Sequence, residues 1–263
     1  VTGVQTCALP ILVYGDGPVT ICAVPPAAQN IELAWGSPVL RRLFDRCARF
    51  SRQVVFDKRG TGMSDRRLDI PELDERVDEL KAVMDDAGVE RAWIHGLSEG
   101  GRMAIMFAAT YPERVEGLIL EGTAASLSTD ERREMLRDPA ALAAARERWL
   151  AYVERWGTPD SMSVAMYAPS LLDDAEFVAW WPRYERHAAS RDALMALFEM
   201  NGRMDARGVL HRVDCPILIL HRRDESIVPV EQARETRDLF EEVGADVTLV
   251  ELEGADHYPF RSE

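Results

Sequence analysis

Ser98 lies in "HGLSEGG", a G-x-S-x-G pattern in which Gly96 and Gly100 flank the hydroxyl. A serine can attack a carbonyl carbon once a base takes its proton. The chain has five histidines, and His257, in "ELEGADHYPF", is the candidate base. It follows an alternating apolar run and sits in a glycine-containing loop, so it can hang over strand ends. His95 precedes the serine inside its own apolar run and reads as a packing residue. His187 lies among charges, His211 precedes a strand, and His221 ends one, where it can line the rim of a site. An imidazole base needs a carboxylate to fix its tautomer and stabilise the imidazolium. Asp224, in "HRRDESIVP", is the candidate acid, with Glu225 its adjacent competitor. Asp256 adjoins the base, a spacing at which side chains rarely meet suitably. Together these residues imply acyl transfer through a covalent acyl-enzyme, with no metal and no organic cofactor.

Two other uses of a glycine-rich loop fit less well. No G-x-x-x-x-G-K-[ST] occurs, and Glu99 stands where an approaching phosphate would be repelled. "KRGTGMSD" holds two glycines but not a dinucleotide fingerprint. The formal net charge of -14 repels nucleic-acid backbones and anionic lipid. No apolar run approaches the roughly 18–20 residues of a membrane span. The four cysteines, Cys7, Cys22, Cys47 and Cys215, match neither a zinc site nor a dense disulfide framework. They read as reduced thiols of a cytoplasmic protein whose partner is a small-molecule substrate.

The elements that must hold these groups alternate. "VTICAV" predicts a buried strand over 19–24, stopped by Pro25, and Pro38 opens a helix to about 49. "QVVFD" is a second strand. "LDERVDELKAVMDDAG" sets Leu73, Val77, Leu80, Met84 and Ala87 on one helical face. "RAWIHGL" and "VEGLILEG" are strands on either side of the apolar helix "EGGRMAIMFAATYP". The segment 124–205 lacks strand signals and reads as helices. The alternation then resumes with the strand "CPILILH", a helix over "PVEQARETRDLFEEVG" with Ala233, Leu239, Phe240 and Val243 inward, and the strand "ADVTLVELEG". This pattern predicts an α/β fold, a mostly parallel sheet with helices on both faces. Ser98 then stands at a strand's C-terminal end, where open parallel sheets place their sites. A strand that turns at once into a helix strains the central residue and lifts its oxygen clear of the backbone.

The stretches "YGDGPVTICAVPP", "LAWGSPVLRRLF", "VVFDKRGTGMSD", "GLSEGGRMAIMFAATYPERVEGLIL", "CPILILHRRDESIVPVEQAR" and "GADHYPF" resemble the α/β-hydrolase superfamily. Within it they are most similar to the branch described as adenylate-cyclase-associated. The resemblance implies the order Ser98, Asp224, His257 for the triad. It makes Asp57, Arg59 and Gly60 architectural. It implies a core over 12–123 and 206–263 and a helical cap over 124–205 that shapes the substrate pocket, with Trp180, Trp181, Tyr184 and His221 as candidate lining. Trp149 and Trp156 also belong to the cap. It implies an oxyanion hole made by the backbone N–H of Glu99 and one from the loop after the first central strand. Many relatives carry His-Gly in that loop. Here it is "AVPPAAQN"; Pro26 has no N–H, so the candidate donor is Ala27.

These residues imply a serine hydrolase acting on a small carboxylic ester. A non-hydrolytic ligand-sensing module fused to or associated with a cyclase domain is an alternative. So is another activity of the same triad, such as C–C bond hydrolysis or cofactor-free haloperoxidation. Epoxide hydrolysis and dehalogenation usually need an aspartate where this chain has Ser98. The stretch 1–11, "VTGVQTCALPI", reads as a translated sequencing adapter and is set aside from the fold. The chain is expected to lack its native N-terminus and, relative to that superfamily, a final helix after His257.

Overall fold

The computed structural model describes residues 9–66, 70–127 and 137–259. Its strands are β1 (Ile11–Tyr14), β2 (Val19–Val24), β3 (Ser51–Phe56), β4 (Ala92–Leu97), β5 (Val115–Glu121), β6 (Ile217–Arg222) and β7 (Val247–Leu252). They form one seven-stranded sheet in the order β1-β3-β2-β4-β5-β6-β7. Only β1 runs antiparallel to its neighbour. The C-terminal ends of β2, β4, β5, β6 and β7 therefore share one edge of the sheet. The register fixes their neighbours there, with Val24 opposite Gly96 and Leu97 opposite Glu121.

The remaining elements of the core are helices α1 (Ile31–Gly36), α2 (Pro38–Cys47), α3 (Leu73–Asp86) and α4 (Gly100–Thr110). One face of the sheet is sealed by α3 and α4, whose Leu80, Met84, Met103 and Phe107 reach zero exposure against Phe56, Ile94 and Leu118. Burying a side chain of this size contributes about 1.5–3 kcal/mol. The helix Val230–Glu242 closes the same face with Ala233 and Phe240. Leu239 packs at its margin, but Val243 is 45% exposed rather than inward. The helix ends at Glu242, so the apolar period no longer applies to the next residue. The other face is covered less completely. There Leu40 and Phe44 of α2 leave a cavity of about 490 Å³ over Ile21, Val55, Ile119 and Leu220.

Two core elements lie outside the expected pattern. Strand β1 begins inside the stretch set aside as adapter. Ile11 pairs with Phe56, the Asp57 amide donates to the Pro10 carbonyl at 3.2 Å, and Leu9 packs on the core. Residues 9–11 thus belong to the fold, because an edge strand needs only backbone groups and apolar side chains. Helix α1 arises from a cap: Asn30 accepts from the Leu33 amide at 2.8 Å, and the buried Asp57 carboxylate accepts from the Ile31 amide at 3.0 Å. Burial pushes Asp57 up to about 7 despite these donors.

Between β5 and β6 the chain leaves the sheet. Residues 128–136 lie outside the described part. Four helices follow: α5 (Pro139–Arg155), α6 (Ser163–Tyr167), α7 (Ala175–Ala188) and α8 (Arg191–Arg203). Asp138, Asp174 and Ser190 accept amide N–H groups at the N-termini of α5, α7 and α8. These helices share a second apolar cluster around Tyr152, Trp156, Phe177, Trp181 and Leu197, into which Ala34 and Leu40 of α1 and α2 pack. The segment is pinned where it departs and returns, by a Ser126–Asp205 bridge and an Ala206 amide bonded to the Ala125 carbonyl at 2.9 Å. Val230–Glu242 is α9. No helix among the described residues is long and apolar enough to cross a membrane.

Candidate active site

Strand β4 ends at Leu97 and α4 begins at Gly100, so the chain must reverse within two residues. Ser98 takes φ 56°, the one positive φ of a non-glycine residue among those described. Such a conformation costs roughly 1–3 kcal/mol and persists only where neighbours enforce it. The Ser98 amide donates to Glu121 of β5 at 2.9 Å, and its carbonyl accepts from Gly101 at 3.0 Å. The flanking glycines allow close approach. A Cβ on Gly96 would sit 2.5 Å from the Gly101 Cα, and one on Gly100 would sit 2.4 Å from the Val24 carbonyl oxygen.

His257 follows β7 and is 2% exposed. The segment Ser163–Leu171 holds its loop from above. The Tyr167 carbonyl accepts from the amides of His257 and Tyr258, at 3.0 and 3.2 Å. The Asp256 carboxylate accepts from the Ser170 amide at 2.9 Å and its hydroxyl at 2.5 Å. The imidazole lies over Gly122, whose absent Cβ would meet its Cε1 at 3.2 Å. Gly122 directly follows Glu121, the acceptor of the Ser98 amide. Serine and histidine thus converge on the end of β5.

The acid that meets His257 is Glu225, not Asp224. Glu225 Oε2 lies 2.5 Å from His257 Nδ1, while Asp224 is exposed. The amides of Arg223 and Asp224 bond to Leu252 and Gly254, continuing the β6–β7 ladder past the strand and leaving the Asp224 side chain in solvent. The next residue turns inward, and Glu225 Oε1 accepts from the Val228 amide at 2.8 Å. Burial pushes the Glu225 carboxyl up, but hydrogen bonds from His221 and His257 outweigh it and hold it below the usual carboxylate range. His257 Nε2 is buried with no hydrogen-bond partner among the described residues.

The candidate lining residues divide. Trp181 and Tyr184 border a cavity of about 20 Å³ with Ala27, Trp156, Tyr167 and Tyr258. Trp181 Nε1 donates to Ser163 Oγ at 2.6 Å. Trp180 does not border that cavity; it stacks on Tyr184 with centroids 5.0 Å apart. His221 is no rim residue. It is 1% exposed behind Glu225, with Nε2 2.7 Å from the Val228 carbonyl and 3.3 Å from Glu225 Oε1. Trp149 lies against Phe198, with centroids 4.1 Å apart. His95 contacts Glu121 at 2.9 Å, on the face with the larger cavity. The amides of Ala27 and Glu99 donate to no acceptor among the described residues. Their elements touch where Gly100 meets Val24 and Pro25.

The carboxylate of Glu99, which has no role legible in the sequence, is buried and paired. Lys58 Nζ contacts its Oε2, and Arg76 lies 3.4 Å from its Oε1. Burial pushes Glu99 up, yet the two cations hold it below the usual range. Burial pulls the Lys58 ammonium down to about 8. Nothing in the spacing of Lys58, Arg76 and Glu99 announces this cluster, because each sits on a different element. No cluster of metal-ligating side chains occurs among the described residues.

A family model described as "Serine aminopeptidase, S33" matches residues 39–263. A Bacillus subtilis protein named 2-succinyl-6-hydroxy-2,4-cyclohexadiene-1-carboxylate synthase is 36% identical over 111 residues, 40% of this chain and 40% of that protein. A protein of Azorhizobium caulinodans named as a carbamate hydrolase is 24% identical over 205 residues, 78% of this chain and 75% of that one. Among solved structures, a thermophilic esterase from Thermogutta terrifontis superposes with a TM-score of 0.70 at 21% identity, covering 95% of this chain and 86% of its own. That likeness shows a shared α/β-hydrolase fold.

Proposed function

Since the chain belongs to the serine aminopeptidase, S33, family of α/β-hydrolases, we propose that it cleaves small carboxylic esters by acyl transfer through Ser98, His257 and Glu225. The observation that carries this reading is the Glu225–His257 contact at 2.5 Å beside an unpartnered Nε2. With Nδ1–H donated to an ionised carboxylate, Nε2 is the basic nitrogen, on the side free to receive the Ser98 proton. Ser98 attacks the carbonyl, and the amides of Glu99 and Ala27 hold the resulting oxyanion. Protonated His257 returns its proton to the leaving alcohol. Water, activated by the same nitrogen, then releases the acid. The small cavity supports a neutral acyl group over the ammonium of a peptide N-terminus, since its border is apolar and aromatic and includes no carboxylate.

A fluorophosphonate probe tests the nucleophile. Folded wild-type protein is expected to be labelled and to turn over p-nitrophenyl acetate, and Ser98→Ala is expected to do neither. Equal labelling of Ser98→Ala would sink the assignment.

A further inference from the structure

The two proposed oxyanion donors belong to separate elements, and the sheet does not connect them. The β2–β4 ladder ends at Val24 opposite Gly96. Beyond it, no backbone hydrogen bond among the described residues joins 25–29 to 97–101. Pro25 and Pro26 bring no N–H with which that loop could anchor itself. Lys58, at zero exposure, reaches both sides: Nζ donates to the Pro25 carbonyl at 3.0 Å and to the Glu99 carboxylate. We propose that Lys58 is a positioning residue that clamps the Ala27 loop to the nucleophile turn and so sets the spacing of the oxyanion hole. This inference rests on the function proposed above.

Arg76 already lies against the same carboxylate, so neutralising Glu99 does not require a second buried cation. Sequestering an ammonium from water is costly. What Lys58 adds beyond Arg76 is the bond to Pro25, one residue before the proline that precedes Ala27. Its neighbours in the cluster, Arg59 and Glu79, pair with each other at 2.9 Å and touch neither donor loop.

The test compares wild type, Lys58→Met, the double variant Lys58→Met/Glu99→Gln and the control Glu79→Gln. The double variant removes one buried charge of each sign, and Arg76 keeps its bond to the Pro71 carbonyl, so it is expected to fold even if the single variant does not. Displacing one oxyanion donor costs about 10²–10³ in kcat. Lys58→Met and the double variant are expected to lose kcat on p-nitrophenyl acetate by about 10²-fold, with KM little changed. Amide hydrogen exchange at Ala27, Ala28 and Gln29 should quicken in both. Glu79→Gln should lower melting temperature while keeping kcat. Wild-type kcat and wild-type exchange in the folded lysine variants overturn the clamp. If wild type neither labels nor turns over ester, the proposed function fails by itself. Exchange at 27–29 then decides the clamp: faster exchange supports it, and unchanged exchange overturns it.

Discussion

Asp224 and Glu225 differ by one methylene and one step of backbone, and that step sends their side chains to opposite sides of the chain. Their spacing in the chain does not separate them. Both follow a strand, both precede His257, and either carboxylate could serve an imidazole. The difference comes from the β6–β7 ladder running past Arg222, which commits the Asp224 backbone to Gly254. Glu225→Gln keeps the shape and removes the charge that stabilises the imidazolium. It should lower kcat by about 10⁴-fold, the size of effect seen when a triad acid loses its charge. Asp224→Asn should leave kcat near wild type. Steady-state kinetics on a p-nitrophenyl ester check both, and collapse on changing Asp224 instead would reverse the assignment. His221 acquires its meaning at the same place. It backs Glu225 from the buried side.

The strand–turn–helix unit of β4 and α4 was legible because its demands are local. Two glycines around a serine, an apolar run before and another after, leave little else for the chain to do. The structure supplies the distances behind that reading. A methyl group on Gly96 would meet the Gly101 Cα at 2.5 Å and the Ala104 Cβ at 2.8 Å, and two of its three nearest atoms are backbone. Gly96→Ala should therefore push α4 off β4, costing about 1–3 kcal/mol and lowering kcat by moving Ser98. Gly202→Ala, in α8 with nothing within 4 Å, should keep kcat and slightly raise stability through helix propensity. Thermal melts with kcat on each variant test the pair. The His257 loop is the opposite case. Its position depends on Tyr167 and Ser170, distant in sequence, so no local pattern could give it.

Across the molecule, one sheet carries the candidate site and a second apolar cluster packs beside it. Beside Ala27 lies a cavity of about 20 Å³ bordered by Trp156, Phe198 and Tyr258, little more than room for one water, while the cavity of about 490 Å³ reaches Pro25, Tyr184 and Tyr258 from the other side. An acyl group that takes the smaller cavity must displace aromatic side chains to enter. Phe198→Ala should therefore raise kcat/KM for hexanoate relative to acetate esters. An unchanged or inverted ratio across a p-nitrophenyl chain-length series would place the acyl group elsewhere. The sequence by itself determined the α/β alternation, the nucleophile turn and the histidine that overhangs it. Each of these is written in periodicity or in glycine placement, which act over a few residues. The tertiary structure alone decided which carboxylate meets His257, the inward turn of His221, the entry of Ile11 into the edge strand and the burial of Glu99 against Lys58. Those outcomes depend on strand register and on which distant backbone groups are left to be satisfied, and both are set only when the sheet closes.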